Sequence, residues 1–451
     1  MSLLSQIVVG ICFIILIVIL FFDSNDYLTY SVLLVLIAAL VSAIDIPEAR
    51  HLETYVMAIE WEVIIFLIAM FTIVEILIEA QIFHKIAKSI VNRYKNNIRK
   101  MFYVICTVST LLASILEDLS VAIIFIPIIV LACSEIKINP SPFLLGMTIC
   151  INLASTLTPF GSAENIMIAN YFDLSFSFFI INFAPFFIVS TIITLVLLDY
   201  FVLSKEIKKE WRSACESQSE SLSGENGKTK EMLDDIEIDK MTLIKNSVAL
   251  VIFILLLLFI DEIHVAGLIG VLLFTFVNPK TDESKKKKPQ LSHFLGKVDY
   301  KLIYFFMCLF VLVHLMELNG TVGYMEILIE NLSLNNIFLL SIFILIITSL
   351  LSGFLDNAPV TIIFLPIIEI LLNTGLYEFL PLLIAFVLGV NLGGNFLPQG
   401  SAADMMTLEL SKKYCVEDLT YKKLTKVGGL FALLHILLGI IYLAIFVFLI
   451  L

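Results

Sequence analysis

Leu116-Glu117-Asp118-Leu119-Ser120-Val121-Ala122-Ile123-Ile124-Phe125-Ile126-Pro127 returns 239 residues later as Leu355-Asp356-Asn357-Ala358-Pro359-Val360-Thr361-Ile362-Ile363-Phe364-Leu365-Pro366. The same offset, without a gap, aligns Ile59-Glu60-Trp61 with Val298-Asp299-Tyr300 and Pro142 with Pro381. It also aligns Asn152-Leu153 with Asn391-Leu392, and Pro159-Phe160-Gly161-Ser162-Ala163 with Pro398-Gln399-Gly400-Ser401-Ala402. Helix packing alone can produce a shared apolar pattern, but it would not hold Pro, Asn and Gly-Ser-Ala in one register. The chain reads as a duplication of one unit.

Composition sets the medium in which that unit folds. Of 451 residues, 60% are hydrophobic and 15% charged, and the mean hydropathy is +1.02, far outside the range of soluble domains. Apolar stretches of about 20 residues, enough to cross ~30 Å of hydrocarbon, occur roughly ten times. The first, residues 3–22, has no basic n-region and leads straight into another span, so it reads as a mature transmembrane helix rather than a signal peptide. Seven cysteines stand singly with no CxxC pair and no His at ligand spacing, which suggests neither a disulfide framework nor a zinc site. The net charge of −12 argues against nucleic acid as a partner and leaves the lipid bilayer and a small ion.

Basic residues set the expected topology. No Lys or Arg occurs from His51 to His84, Met101 to Ile136, Ile138 to Ser204, or Leu302 to Ser411. They gather in 85–100, 204–245, 280–297 and 412–426, which the positive-inside rule assigns to the cytoplasm. Segments 261–264 and 319–336, free of Lys and Arg, are expected outside, as are both termini. The span after Trp61 then runs inward and its partner after Tyr300 runs outward, so the repeats are inverted. The fold class is an all-α polytopic membrane protein of two inverted-topology repeats, each of about five spans with one re-entrant hairpin and one broken helix. Repeat 1 covers 1–203, a cytoplasmic linker 204–241, and repeat 2 242–451.

The polar interruptions mark the candidate site. Each repeat has a long apolar stretch broken at its middle, at Glu117-Asp118 and at Asp356-Asn357, with basic loops placing both ends on one side. That pattern predicts a re-entrant hairpin whose tip is buried in protein or faces a watery cavity, since irregular backbone is not tolerated against lipid. Further on, Asn152 to Pro159 and Asn391 to Pro398 predict helices broken by proline, which removes a donor and clashes with the preceding turn. The broken ends would present carbonyls to cations and N–H groups to anions. The neutral oxygens and amides of Ser155, Thr156, Thr158, Ser162, Asn165, Asn395 and Ser401 surround them, together with the carboxylates of Glu164 and Asp404. Glu75 and His314, at equivalent positions of full spans, are candidates for proton transfer.

The hairpin Leu355-Asp356-Asn357-Ala358-Pro359 and the broken-helix Asn391-Leu392-Gly393-Gly394-Asn395, with the following Gly400-Ser401-Ala402, resemble the arsenite permeases (ArsB) and NhaD-type sodium/proton antiporters. Their superfamily also includes citrate and dicarboxylate carriers. The resemblance covers nearly the whole chain outside the linker. It implies paired hairpins and broken helices around one central site with coupled alternating access. Two positions depart from the pattern: Glu117-Asp118 stands where Asp-Asn is usual, and Glu164 where Pro is common before Asn165. Both changes add a carboxylate to a centre without fixed cations. An ionised carboxylate buried there must be protonated, hydrated or bound to a cation. Hard ions suit such oxygens, so Na⁺ is expected at Glu117, Asp118, Asp356 and Asn357, with H⁺ or Na⁺ as the coupling ion and no cofactor.

The reading is a secondary active transporter, cation/proton antiport favoured, with an arsenite, antimonite or carboxylate-anion permease as the alternative. A passive channel fits less well, because channels usually gather a pore from identical subunits. An enzyme is not indicated: HExxH, GxSxG and P-loop motifs are absent. A homodimer is compatible with the sequence. The resemblance to arsenite permeases also allows a partner ATPase, which no residue here indicates.

Overall fold

In hydrocarbon the backbone has no water to bond, so an apolar run becomes helix, where every N–H finds a carbonyl of its own segment. The computed structural model describes residues 3–21, 27–116, 118–206, 240–260, 262–281, 287–298, 300–321, 323, 336–355, 357–373 and 378–450. Its principal helices in the first half are α1 Leu3–Phe21, α2 Tyr27–Asp45, α3 Trp61–Glu79, α4 Ile82–Tyr94, α5 Ile98–Ala113, α6 Asp118–Glu135, α7 Ser141–Ala154, α8 Ala163–Tyr171 and α9 Phe176–Leu198. In the second half they are α10 Lys240–Phe259, α11 Ile263–Val277, α12 Tyr300–Leu318, α13 Ile337–Phe354, α14 Asn357–Asn373, α15 Phe379–Leu392, α16 Ala402–Lys413 and α17 Tyr421–Ile445. The protein is an all-α polytopic membrane protein; a two-residue antiparallel ladder, Lys280–Thr281 with Lys287–Lys288, is a minor addition in a basic connection.

Among the described residues, eight helices are long and apolar enough to cross a membrane: α2, α3, α6, α9, α10, α12, α13 and α17, some with their flanking turns. The shortfall from roughly ten apolar stretches lies in α7, α11, α14 and α15, which are apolar but only 10–17 residues long, and in α1, counted over Leu3–Leu16 alone. Two of these, α7 and α15, end where proline-containing segments interrupt the helix. Helix α7 stops at Ala154 and α8 starts at Ala163; α15 stops at Leu392, passes through short 3₁₀ turns at Gly393–Asn395 and Pro398–Gly400, and α16 starts at Ala402. Both breaks fall where the sequence places them. Pro127 in α6 and Pro366 in α14 sit inside helices at the same 239-residue offset.

Packing partners recur at that offset as well. Helices α5 and α7 pack together as do α13 and α15, while α3 packs on α11 as α12 packs on α2. Helix α6 packs on α16, and α14 on α8, so each tip-bearing helix meets the far side of the other repeat's break. Every residue of α7 is buried, as are twelve residues of α15 from Pro381 to Leu392. These two helices form the centre of the molecule. The outer helices instead expose large apolar side chains, among them Leu36 and Leu40 of α2, Val251 and Leu255 of α10, and Leu433 and Leu437 of α17, as lipid-facing surfaces do. Buried His435 of α17 bonds Thr194 of α9 at 2.8 Å, a helix-to-helix contact. Cys12, Cys106, Cys133, Cys150 and Cys308 are free.

Two glycines let α15 lie against α13. A Cβ on Gly389 would strike the Thr348 hydroxyl, and one on Gly393 the Ser349 carbonyl oxygen; the second obstacle is backbone and cannot rotate away. Gly393→Ala is therefore expected to destabilise the protein by about 1–3 kcal/mol as an overpacked core does, read as a lower melting temperature in detergent. Gly10→Ala, where nothing lies within 4 Å of the added carbon, is the control. Equal melting of the two variants would mean that the α13–α15 approach is not tight.

Candidate functional site

The two helix breaks lie side by side and are tied together by asparagines exchanged between the halves. From α7, Asn152 donates its Nδ2 to Asn395 Oδ1 at 2.8 Å and to Asp404 Oδ1 at 3.2 Å, and its Oδ1 accepts from Ser401 Oγ at 2.7 Å. From α15, Asn391 donates its Nδ2 to Asn165 Oδ1 at 2.8 Å, and its Oδ1 accepts from Ser162 Oγ at 3.3 Å. Asn152 and Asn391 are offset equivalents, as are Ser162 and Ser401, and Asn165 and Asp404. Each asparagine is thus held between a serine and the residue three positions later, both from the opposite half. All six side chains are buried.

Local sequence explains how the breaks are closed. Thr158, just before Pro159, donates to Ser114 O of the hairpin and accepts from Phe160 N at 3.2 Å and Gly161 N at 3.1 Å. Asn165 Nδ2 reaches back to Ser155 O at 2.5 Å and Thr158 O at 3.1 Å, covering carbonyls that the missing turn leaves open. Thr156 donates to Leu153 O at 2.8 Å. Ser162 caps α8 by accepting from Asn165 N at 3.4 Å, the usual service of a serine at a helix start.

The carboxylates sit at the helix starts. Glu164 and Asp404 each lie in the first turn of their helix, α8 and α16, and are 6% and 1% exposed. Asp404 Oδ1 accepts from Thr148 Oγ1 at 2.5 Å besides Asn152; Thr407, which donates to Ala403 O at 2.7 Å, has its Oγ1 3.3 Å from Thr148 Oγ1. Glu164 Oε1 accepts from Asn357 Nδ2 at 2.8 Å, so a hairpin tip of the second half touches the broken helix of the first. Ser352 Oγ lies within hydrogen-bonding distance of both Asn357 Oδ1 and Val390 O, the latter at 2.6 Å, and its one proton serves a single acceptor at a time. The described hydrogen bonds to these two acids come from neutral side chains.

Of the sequence-predicted residues, the structure brings together Asn152, Ser155, Thr158, Ser162, Glu164, Asn165, Asn357, Asn391, Asn395, Ser401 and Asp404. Thr156 lies buried beside them. Asp118 is half-buried at the start of α6, its Oδ1 accepting from Leu119 N at 2.7 Å. Glu117 and Asp356 lie outside the described residues. Glu75 and His314 do not join the lattice through any described hydrogen bond: Glu75 is half-buried on α3, and His314 lies 3.4 Å from Glu317 of its own helix. Thr148, Thr407 and Ser352 were missed by sequence reasoning. Thr148 precedes Asn152 by one helical turn and Thr407 follows Asp404 by nearly one, so 3.6-residue periodicity from the named polar residues would have found both.

A family model described as citrate transporter matches residues 11–390 and 298–451. The chain is similar to a 46 kDa membrane protein of Mycobacterium leprae, 24% identical over 398 residues that cover 85% of this chain and 86% of the relative. An uncharacterized transporter of Mycobacterium tuberculosis is 24% identical over 387 residues with the same coverage. A putative transporter, arsB, of Dictyostelium discoideum is 30% identical over 156 residues, 33% of this chain and 26% of that one.

Asn391→Ala removes the partner of both Asn165 and Ser162. Leaving buried polar groups unmatched costs about 1–3 kcal/mol, so the variant should melt earlier. Combined with Ser162→Ala the losses should be non-additive by about 0.5–3 kcal/mol in a double-mutant cycle. Strict additivity would mean that the bond between the two halves carries no stability.

Proposed function

Because the chain belongs to the citrate transporter family, we propose that this membrane transporter is a secondary active carrier working by alternating access, in which a small cation is exchanged for H⁺. The observation that carries this reading is the pair of buried carboxylates, Glu164 and Asp404, at the starts of the two helices that follow the breaks.

In an anion carrier those helix starts are the natural anion sites, since free N–H groups and the helix dipole favour negative charge. Here the chain's own carboxylates stand in both. A carboxylate gains about 0.3–1 kcal/mol from a helix N-terminus, whereas burying it unpaired costs several. Threonine and asparagine donors cover part of that difference; a proton or a metal cation covers the rest. An incoming carboxylate ion would meet repulsion of about 3 kcal/mol per charge pair at ~6 Å, taking an effective dielectric constant near 20. A cation meets the opposite.

The hairpin tips complete the proposed site. Glu117, Asp118, Asp356 and Asn357 would share Na⁺ or a similar hard ion with Glu164. Asn357 Nδ2 now occupies one Glu164 oxygen, so a cation arriving at that oxygen displaces an inter-repeat contact. Binding is thereby linked to motion of a tip, which alternating access requires. We place repeat 1 at 1–203 and the inverted repeat 2 at 242–451, with the basic loops and linker cytoplasmic and both termini outside. Coupling by Na⁺ and assembly as a homodimer belong to the same proposal. The second reading, a neutral substrate such as arsenite held by the hydroxyls and amides of the lattice, is favoured by the arsB-named relative and by the neutral donors around Asn152 and Asn391.

The test is proton flux in proteoliposomes containing a trapped pH dye, challenged in turn with Na⁺, Li⁺, arsenite and citrate. Protons should move with Na⁺ or Li⁺, and Asp404→Asn and Glu164→Gln should fall to the level of protein-free vesicles. Asp404→Asn should stay folded, because Asn165 already fills the equivalent position. Response to arsenite alone would establish the second reading, response to citrate alone would overturn the charge argument, and full cation-driven flux in Asp404→Asn would remove that residue from the coupling.

A further inference from the structure

Away from the breaks, Glu62, Glu262 and His264 converge where the first turn of α3 meets the start of α11. One ligand atom from each lies within 4.8 Å of the other two. His264 Nδ1 is 3.6 Å from Glu62 Oε2 and 3.7 Å from Glu262 Oε2. Both separations exceed a hydrogen bond, and Nδ1, although buried, has no hydrogen-bond partner among the described residues. An ion bound tetrahedrally at about 2.1 Å spaces its ligands about 3.4 Å apart. The two separations from His264 are therefore within a few tenths of an ångström of what such an ion would impose, and the third lies within 4.8 Å.

We propose that Glu62, Glu262 and His264 form a site for a borderline divalent cation of the Zn²⁺ type, independent of what the protein transports. Imidazole with two carboxylates is a nitrogen and oxygen donor set that suits zinc or cobalt better than Mg²⁺ or Ca²⁺, which prefer oxygen alone. Three protein ligands leave a fourth position for water. The carboxylates are exposed, at 56% and 67% of their side-chain surface, and the imidazole is 20% exposed, so an ion can enter from solvent. Neither 51–84 nor 246–279 contains a Lys or Arg that could neutralise the pair instead. The ligands come from helices 200 residues apart in sequence, which is why ligand spacing along the chain could not reveal them. A bound ion would pin α3 to α11 at the end facing away from Glu79, whose carboxylate is already held by Lys280, Lys297 and His293.

The experiment is calorimetric titration of the purified full-length protein with Zn²⁺, with Co²⁺ as an absorption probe and thermal melts alongside. One saturable equivalent is expected, with a raised melting temperature and cobalt d–d bands of low symmetry. His264→Ala should abolish it. Glu62→Gln and Glu262→Gln, at exposed positions that tolerate the change, should weaken it at least about tenfold, the scale on which even outer-shell ligand partners act. His51→Ala, an exposed histidine elsewhere, should leave it intact. Titrations of Glu62→Gln and Glu262→Gln that superimpose on the parent protein would overturn the proposal, as would the absence of saturable binding. A His264→Ala melt lowered equally with and without Zn²⁺ would make the cluster a simple ion pair.

Discussion

A helix broken inside hydrocarbon leaves backbone groups that water cannot reach, and each one left unmatched costs several kcal/mol. The architecture follows from how this protein meets that constraint. Asn165 covers the carbonyls of Ser155 and Thr158, and Thr158 takes the amides of Phe160 and Gly161. The side chains that do this are then held by residues of the other half: Asn391 holds Asn165 and Ser162, and Asn152 holds Asp404 and Ser401. The side chains around each break are thus held by an asparagine from the opposite half of the chain, which ties the two breaks together.

That mutual closure also determines where charge can be introduced. A lattice of Asn, Ser and Thr is neutral and close to symmetric, and it would serve a carrier for a neutral solute without further change. At two adjacent positions beside the breaks the units differ in charge: Glu164 has the counterpart Ala403, and Asp404 the counterpart Asn165. Both differences add an acid to a buried site whose described donors are uncharged. Structural economy does not account for them, because the asparagine at 165 shows that a neutral residue satisfies the geometry.

Much of this was legible in the sequence because polarity inside a membrane is rare and therefore informative. Proline and asparagine at a fixed offset located both helix breaks to within a residue or two, and Ser162, Asn165, Ser401 and Asp404 lie buried beside them. What could not be read was partnership. Nothing in one dimension says that Asn152 reaches across to Ser401 rather than to its own Ser162, since both lie on broken helices of identical pattern. Thr148 and Thr407 escaped for another reason: a threonine in an apolar helix usually bonds its own preceding turn, as Thr72 does with Ile68, and only the neighbouring Asp404 gives Thr148 a different partner. The Glu62, Glu262 and His264 cluster was invisible because it depends on how α3 and α11 pack.

The equivalence of positions 165 and 404 bears directly on chemistry. An asparagine side chain has one acceptor and two donors. At 165 the acceptor faces Asn391, and the amide group faces two backbone carbonyls. A protonated aspartic acid has nearly the same shape, with an acceptor and a single O–H donor. At 404 the Oδ1 already plays the acceptor's part towards Asn152 and Thr148, and the offset equivalents of the two carbonyls at 155 and 158 belong to Gly394 and Leu397. In the exchange proposed above, proton uptake would turn one carboxyl oxygen of Asp404 from acceptor to donor, bringing it closer to the amide that stands at 165. An ionised Asp404 could only accept, and a bound cation would then take the place of the proton.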